Sequence, residues 1–274
     1  MPQPRPFALP FALCCVGVAL FSIMDATMKG LSLSIGLFNA LFWRAVVGSF
    51  LGLALMLLTR QRWPRWAVLR LHLLRGSVVA LMASLFFWAL MRMPLAEAIA
   101  LSFIAPLIAL YLAALLLNER IGSRAIGASL LGLLGVAVIL SGRMQGGYDR
   151  NALLGAGAVL ASAVLFAWNL ILQRRQAQLA SPIEVAFFQH GVMLAIFSGV
   201  AVLAGWNPPV PAAGSWALIV LAAALAFTSL AALAWSYARA EAQHLIPVEY
   251  SAFVWAAIIG WLAFGERLTL TTLA

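Results

Sequence analysis

Polar and charged positions in this chain do not alternate with apolar ones; they gather in short clusters between long apolar runs. Residues 99–122 (IALSFIAPLIALYLAALLLNERIG) hold no charge before Glu119 and close on Asn118-Glu119-Arg120. A run of that length is enough to cross a bilayer as one helix. Residues 246–268 (IPVEYSAFVWAAIIGWLAFGERL) close the same way, on Gly265-Glu266-Arg267. A shift of 147 lays Glu119 on Glu266, Arg120 on Arg267, Trp88 on Trp235 and Arg92 on Arg239. A shift of 145 lays Lys29 on Arg174, Phe21 on Phe166 and Phe42 on Phe187. An apolar span capped by Glu-Arg, present twice at matched positions, marks a duplicated membrane protein.

The pattern predicts about ten transmembrane helices, with spans near 11–31, 37–58, 71–91, 96–117, 124–141, 152–172, 182–204, 216–237 and 245–264. The tenth is truncated in this sequence, which stops at Ala274 just after that helix should begin. The first five-helix repeat is read as residues 1–143 and the second as 152–274. Residues 144–151 connect them, within a glycine-rich stretch of both charge signs, GRMQGGYDRN. Gly205-Trp206-Asn207-Pro208-Pro209-Val210-Pro211 must break the chain, since its three prolines cannot continue a helix. Five spans are an odd number, so the second repeat enters the membrane upside down relative to the first. The expected fold class is an all-α polytopic membrane protein built from two inverted five-helix repeats. Inverted repeats typify secondary transporters, which hold substrate near the midplane between the two halves.

Composition sharpens this picture. The chain is 65% hydrophobic and 9% charged, where a soluble domain is about a quarter charged. The bilayer is its solvent, and its helices must satisfy their own backbone groups. The net charge of +9 does not point to nucleic acid, because the arginines sit in short loops between apolar runs, where anionic lipid and membrane orientation account for them. With the N-terminus inside, the inner loops hold ten basic residues (Arg5, Arg60, Arg62, Arg65, Arg70, Arg120, Arg124, Arg174, Arg175, Arg239) and the outer loops five (Lys29, Arg92, Arg143, Arg150, Arg267). That excess predicts a cytoplasmic N-terminus. The opening MPQPRPFALPFALCCVGVALFS shows no small-x-small cleavage site and reads as a retained first span. Cys14 and Cys15 are adjacent and point to different helix faces, which disfavours a disulfide between them.

The apolar helix with Pro106 that runs into Leu117-Asn118-Glu119-Arg120-Ile121, repeated as Trp261-Leu262-Ala263-Phe264-Gly265-Glu266-Arg267-Leu268, resembles the EamA-type members of the drug/metabolite transporter superfamily. The resemblance covers the whole chain. It implies ten helices in two inverted repeats around a central cavity, and export of amino acids and other small metabolites without ATP. The stretch Pro247–Trp255, PVEYSAFVW, is similar to the amino-acid exporter branch, which includes carriers of aromatic ones. Position 253, opposite Pro106, is Phe. The location implied is the bacterial cytoplasmic (inner) membrane.

No residues supply nucleotide or hydrolytic chemistry. A Walker loop needs Gly-Lys-Ser/Thr, and the one lysine is Lys29. There is no GxSxG or HExxH, and the three histidines are scattered, so no cofactor, metal or enzymatic activity is expected. Intramembrane charge is the informative feature, being costly in hydrocarbon. Asp25 and Arg44 lie at one depth, roughly 10 Å in at ~1.5 Å rise per residue, and are read as an ion pair or gate, with Asp25–Lys29 as the alternative on one helix face. His190 and Glu249 share a depth near the inner side and are candidate substrate or proton-relay groups. Gln189 and Asn169 join them as candidate polar contacts. Phe87, Trp88, Trp168 and Tyr250 are candidate cavity aromatics. Arg75 and His72 are expected to snorkel to the interface, and Glu97 to be solvated there, with Arg92 near it. Gly48-x-x-x-Gly52 suits close helix contact. The reading is an exporter of a small-molecule substrate, most simply an amino acid, by alternating access. A membrane-embedded enzyme using Asp25, His190 and Glu249, or a structural membrane protein without substrate, stand as alternatives. A monomer suffices for a duplicated chain, and the oligomeric state is left open.

Overall fold

Backbone amides in hydrocarbon have no water to bond, so each apolar run closes its hydrogen bonds within a helix. The computed structural model describes residues 8–117, 127, 134 and 150–266. The predicted span 124–141, the Glu119-Arg120 end, most of the connecting loop and the tenth segment lie outside them. The helices are α1 (Ala8–Ile35), α2 (Leu37–Leu58), α3 (Trp66–Leu90), α4 (Leu95–Ser102), α5 (Ile104–Leu117), α6 (Arg150–Ala177), α7 (Pro182–Leu203), α8 (Trp216–Tyr237) and α9 (Ser251–Phe264). A helical turn, Ala242–Leu245, and a 3-10 turn, Ile246–Tyr250, lead into α9. Seven helices among the described residues are long and apolar enough to span a membrane.

Two predicted spans are locally irregular, and at matching places. The fourth divides at Phe103, between α4 and α5. Pro106 has no N–H to give the carbonyl of Ser102, where α4 stops. In the second copy the 3-10 turn ends at Tyr250, which a shift of 147 lays on Phe103. The two breaks touch, with the Phe103 and Tyr250 rings 4.9 Å apart, edge to face. Irregular backbone at membrane depth needs protein around it, and here each break is covered by the other.

The packing repeats under the same exchange. α1 packs on α8 as α6 packs on α3; α9 packs on α1 as α5 packs on α6; α2 and α7, equivalents of one another, pack together. Arg92 stacks over Trp88 at 3.5 Å and Arg239 over Trp235 at 3.9 Å, matched caps on the ends of α3 and α8. The direction of the second repeat follows from α3 and α6. Arg75 meets Asn169 and Gln176, Ser162 bonds the carbonyl of Met82, and Gly155 lies beside Arg92. The two helices are therefore antiparallel. Since α3 runs with α1, the repeat that α6 opens is inverted.

Small residues set the closest approach. A Cβ on Gly48 would lie 2.1 Å from His190, and one on Gly52 would lie 2.9 Å from the Phe187 backbone. The prediction is that Gly48→Ala and Gly52→Ala each destabilise the protein by about 1–3 kcal/mol through overpacking. Gly157→Ala, on an exposed helix face with nothing near the added carbon, should be neutral or slightly stabilising. Thermal unfolding of the purified proteins in detergent distinguishes these outcomes.

Candidate functional site

The helices that meet across the repeat axis leave an open cavity of about 150 Å³. α1, α2, α3, α4, α6, α7, α8 and the 3-10 turn all contribute to its wall. Most of that wall is apolar. Phe21, Phe86, Phe87, Phe103 and Phe166 supply rings, and Met24, Met82 and Met193 supply thioethers. Phe21 and Phe166 are the two copies of one position.

Set into this wall are Asp25, Arg44, Arg75, Asn169, Gln173, Gln189, His190 and Glu249. The structure thus gathers Asp25, Arg44, Asn169, Gln189, His190, Glu249 and Phe87 of the sequence candidates. It does not bring in Trp168, which is 39% exposed on the outer face of α6. Its neighbour Asn169 lies about 100° around the helix and points inward. Trp88 is engaged beneath Arg92, and Tyr250 packs against Phe103 without lining the cavity.

The expected pairs take other forms. Asp25 and Arg44 are within electrostatic reach, but among the described residues no hydrogen bond or ion pair joins them. Lys29 does not pair with Asp25 one turn away. It pairs with Glu266 and donates to the carbonyl of Met93 at 3.0 Å. Gly265 adopts φ 64 and turns the chain end so that Glu266 can reach Lys29. The same carboxylate accepts from Leu95 N at 2.8 Å, capping α4, which has no side-chain cap of its own. Gly260 leaves room for it, since a Cβ there would lie 2.8 Å from Glu266 Oε2. Arg174, the repeat counterpart of Lys29, donates to the carbonyl of Tyr237.

His190 is not paired with Glu249. Its Nδ1 donates to the carbonyl of Ala186 at 2.9 Å, its ring packs on Gly48, and among the described residues Nε2 makes no hydrogen bond. Glu249 lies by the buried hydroxyl of Tyr237, which makes no aligned hydrogen bond.

Arg75 and His72 do not snorkel; both are buried. α6 extends to Ala177, beyond the predicted end at 172, and so carries Gln173 and Gln176 over α3. Arg75 donates to Asn169 Oδ1 (2.9 Å), Gln176 Oε1 (2.7 Å) and Gln173 Oε1 (3.0 Å). Gln176 then donates to His72 Nδ1, and His72 Nε2 donates to Glu184 at 2.9 Å. Sequence reasoning missed this network because it placed Gln173 and Gln176 in a loop. The helical spacing of Asn169, Gln173 and Gln176 on one face was the available signal. Glu97 is also buried, beside Glu266 in a small second cavity, rather than solvated.

The profile of the EamA-like transporter family matches residues 9–141 and 153–274. The chain is 28% identical over 261 residues to the pseudopaline exporter CntI of Pseudomonas aeruginosa, covering 93% of this chain and 87% of that one. It is 28% identical over 261 residues to a riboflavin transporter of Rhizobium johnstonii, covering 91% and 80%. A solved crystal structure superposes with a TM-score of 0.67 at 21% identity, covering 97% of this chain and 91% of that chain, which shows a shared fold.

Glu266 and Lys29 join α1, α4 and the end of α9. Lys29→Met and Glu266→Gln should each lower thermal stability, and the double variant should lose less than the sum. A coupling of about 0.5–3 kcal/mol is expected for side chains in direct contact; strict additivity would show that the two groups act separately.

Proposed function

Because the chain belongs to the EamA-like transporter family, we propose that it is a secondary transporter that exports a small amphoteric metabolite, an amino acid in the simplest case, through the cavity between its inverted repeats. The family and the named relatives are transporters and exporters, not enzymes, so the enzyme alternative is set aside. A structural protein without substrate would be packed dry between its halves, and an open cavity set with Asp25, Arg44, His190 and Glu249 argues against that.

The observation that carries this reading is the wall itself: aromatic and thioether surface, with carboxylates and guanidiniums that do not neutralise one another directly. That chemistry suits a solute with an apolar body and both charge signs. A wall of this kind is less suited to a wholly apolar cargo, which would leave the charges unpaired. Alternating access fits the duplication, because Lys29 and Arg174 occupy matched positions and each donates to a backbone carbonyl, of Met93 just beyond α3 and of Tyr237 at the end of α8. The excess of basic residues in one set of loops supports a cytoplasmic N-terminus in a bacterial inner membrane.

Proteoliposomes holding the full chain should show counterflow of radiolabelled L-phenylalanine or another amino acid. Phe87→Ala, which removes a ring from the wall, should reduce that flux about tenfold, taking an aromatic contact as worth ~1.5 kcal/mol. Trp168→Ala should leave it unchanged. Protein-dependent flux of none of the twenty amino acids would remove the amino-acid version. The named relatives' cargoes, pseudopaline and riboflavin, belong in the same panel.

A further inference from the structure

The two guanidiniums of the cavity differ in one respect. Arg75 spends its donors on three amide oxygens. Arg44 is 5% exposed and also lines the cavity, but it has no oxygen acceptor among the described residues. One terminal nitrogen faces Met24 Sδ at 3.3 Å, the other faces Met193 Sδ at 4.0 Å, and Nε has no partner. Thioether sulfur is a weak acceptor. A buried guanidinium served by sulfur alone lacks most of what water gave it, and such a group persists where something else compensates.

Packing does not require the charge. The repeat counterpart of Arg44 is Gln189, which lines the same cavity and itself donates to Met193 Sδ at 3.6 Å. A neutral amide therefore fills this position in the second copy. Asp25, 8% exposed and one helix away, makes no hydrogen bond among the described residues. Its carboxyl group lies near Arg44, and the two side chains frame one part of the cavity.

We propose that Arg44 is the receptor for the carboxylate of the transported solute, bound through the guanidinium fork, with Asp25 beside it for a cationic group on the same molecule. This rests on the transporter reading above and narrows it: the cargo is a carboxylate, and its acid group is what the site recognises. Planar bidentate pairing is the reason for an arginine here, since a lysine offers only a point charge. Phe87, whose ring centre lies 5.8 Å from the guanidinium carbon, flanks the same spot and would meet the apolar part of the solute.

The test is binding, measured apart from flux. Thermal shift of the purified full chain is recorded with matched probes: L-phenylalanine, L-phenylalaninamide and 3-phenylpropionate. The two acids should stabilise the protein at concentrations at least about tenfold below the amide, the scale of one charge-assisted hydrogen bond. Arg44→Gln should abolish that preference, and Arg44→Lys should keep it with affinity weakened about tenfold, so one folded variant suffices. Asp25→Asn should weaken L-phenylalanine but not 3-phenylpropionate. Amide as effective as acid, no stabilisation by either acid, or a preference surviving in Arg44→Gln overturns the proposal. So does a double variant, Asp25→Asn with Arg44→Gln, that regains wild-type binding, because the two would then be only a structural pair. Acid-selective binding without amino-acid flux would instead remove the amino-acid version of the transport reading and leave the carboxylate receptor standing.

Discussion

The contact between α2 and α7 lies on the pseudo-two-fold axis, and the rest of the arrangement depends on it. Gly48 and Gly52 have no side chain to hold α7 off, so His190 and Phe187 seat directly on the α2 backbone. In lipid there is little hydrophobic gain from joining two apolar helices, so close van der Waals fit has to drive association. A contact that pairs equivalent helices also fixes the symmetry of everything around it. α8 comes to lie beside α1, α3 beside α6, and the two broken helices meet at Phe103 and Tyr250. The hollow between those pairs is the cavity.

The charges sort by how the fold satisfies them. Lys29, Glu266 and the start of α4 form a closed unit at one end of the bundle. Arg75 is linked to a carboxylate, that of Glu184, through Gln176 and His72, a chain in which each member has a donor or acceptor to spend. Both arrangements offset the cost of burial with hydrogen bonds. Asp25 and Arg44 are the contrast, facing one space with neither joined to the other. The internal duplication makes that contrast informative, since the second copy carries Gln189 in place of Arg44 and shows the packing stands without a cation.

The closing Gly-Glu-Arg motif shows how far local sequence reaches. Its repetition exposed the duplication, and duplication with five spans implied inversion. The motif alone did not say what Glu266 touches. That depended on Gly265 turning the chain at φ 64 and on Lys29 and Leu95 arriving from the other repeat. In the same way Pro106 marked a disturbed helix, but only the assembled bundle showed an interruption at Phe103 matched by a 3-10 turn ending at Tyr250 and covered there.

Hydrophobic run length, loop charge and internal repetition are carried by consecutive residues, and they determined by themselves that this is a membrane protein of inverted repeats; the link to small-metabolite exporters rested on the family resemblance of its Glu-Arg-capped helices. They also singled out Asp25, Arg44, His190, Gln189, Asn169 and Glu249, because polar groups in an apolar run stand out without knowing their neighbours. The tertiary structure decided which of these meet, that Trp168 faces away while Asn169 faces in, and that Arg75 is buried and satisfied whereas Arg44 is buried and is not. A run of apolar residues is equally at home against lipid or against another helix, so its facing is written in the partner helix and not in the run itself.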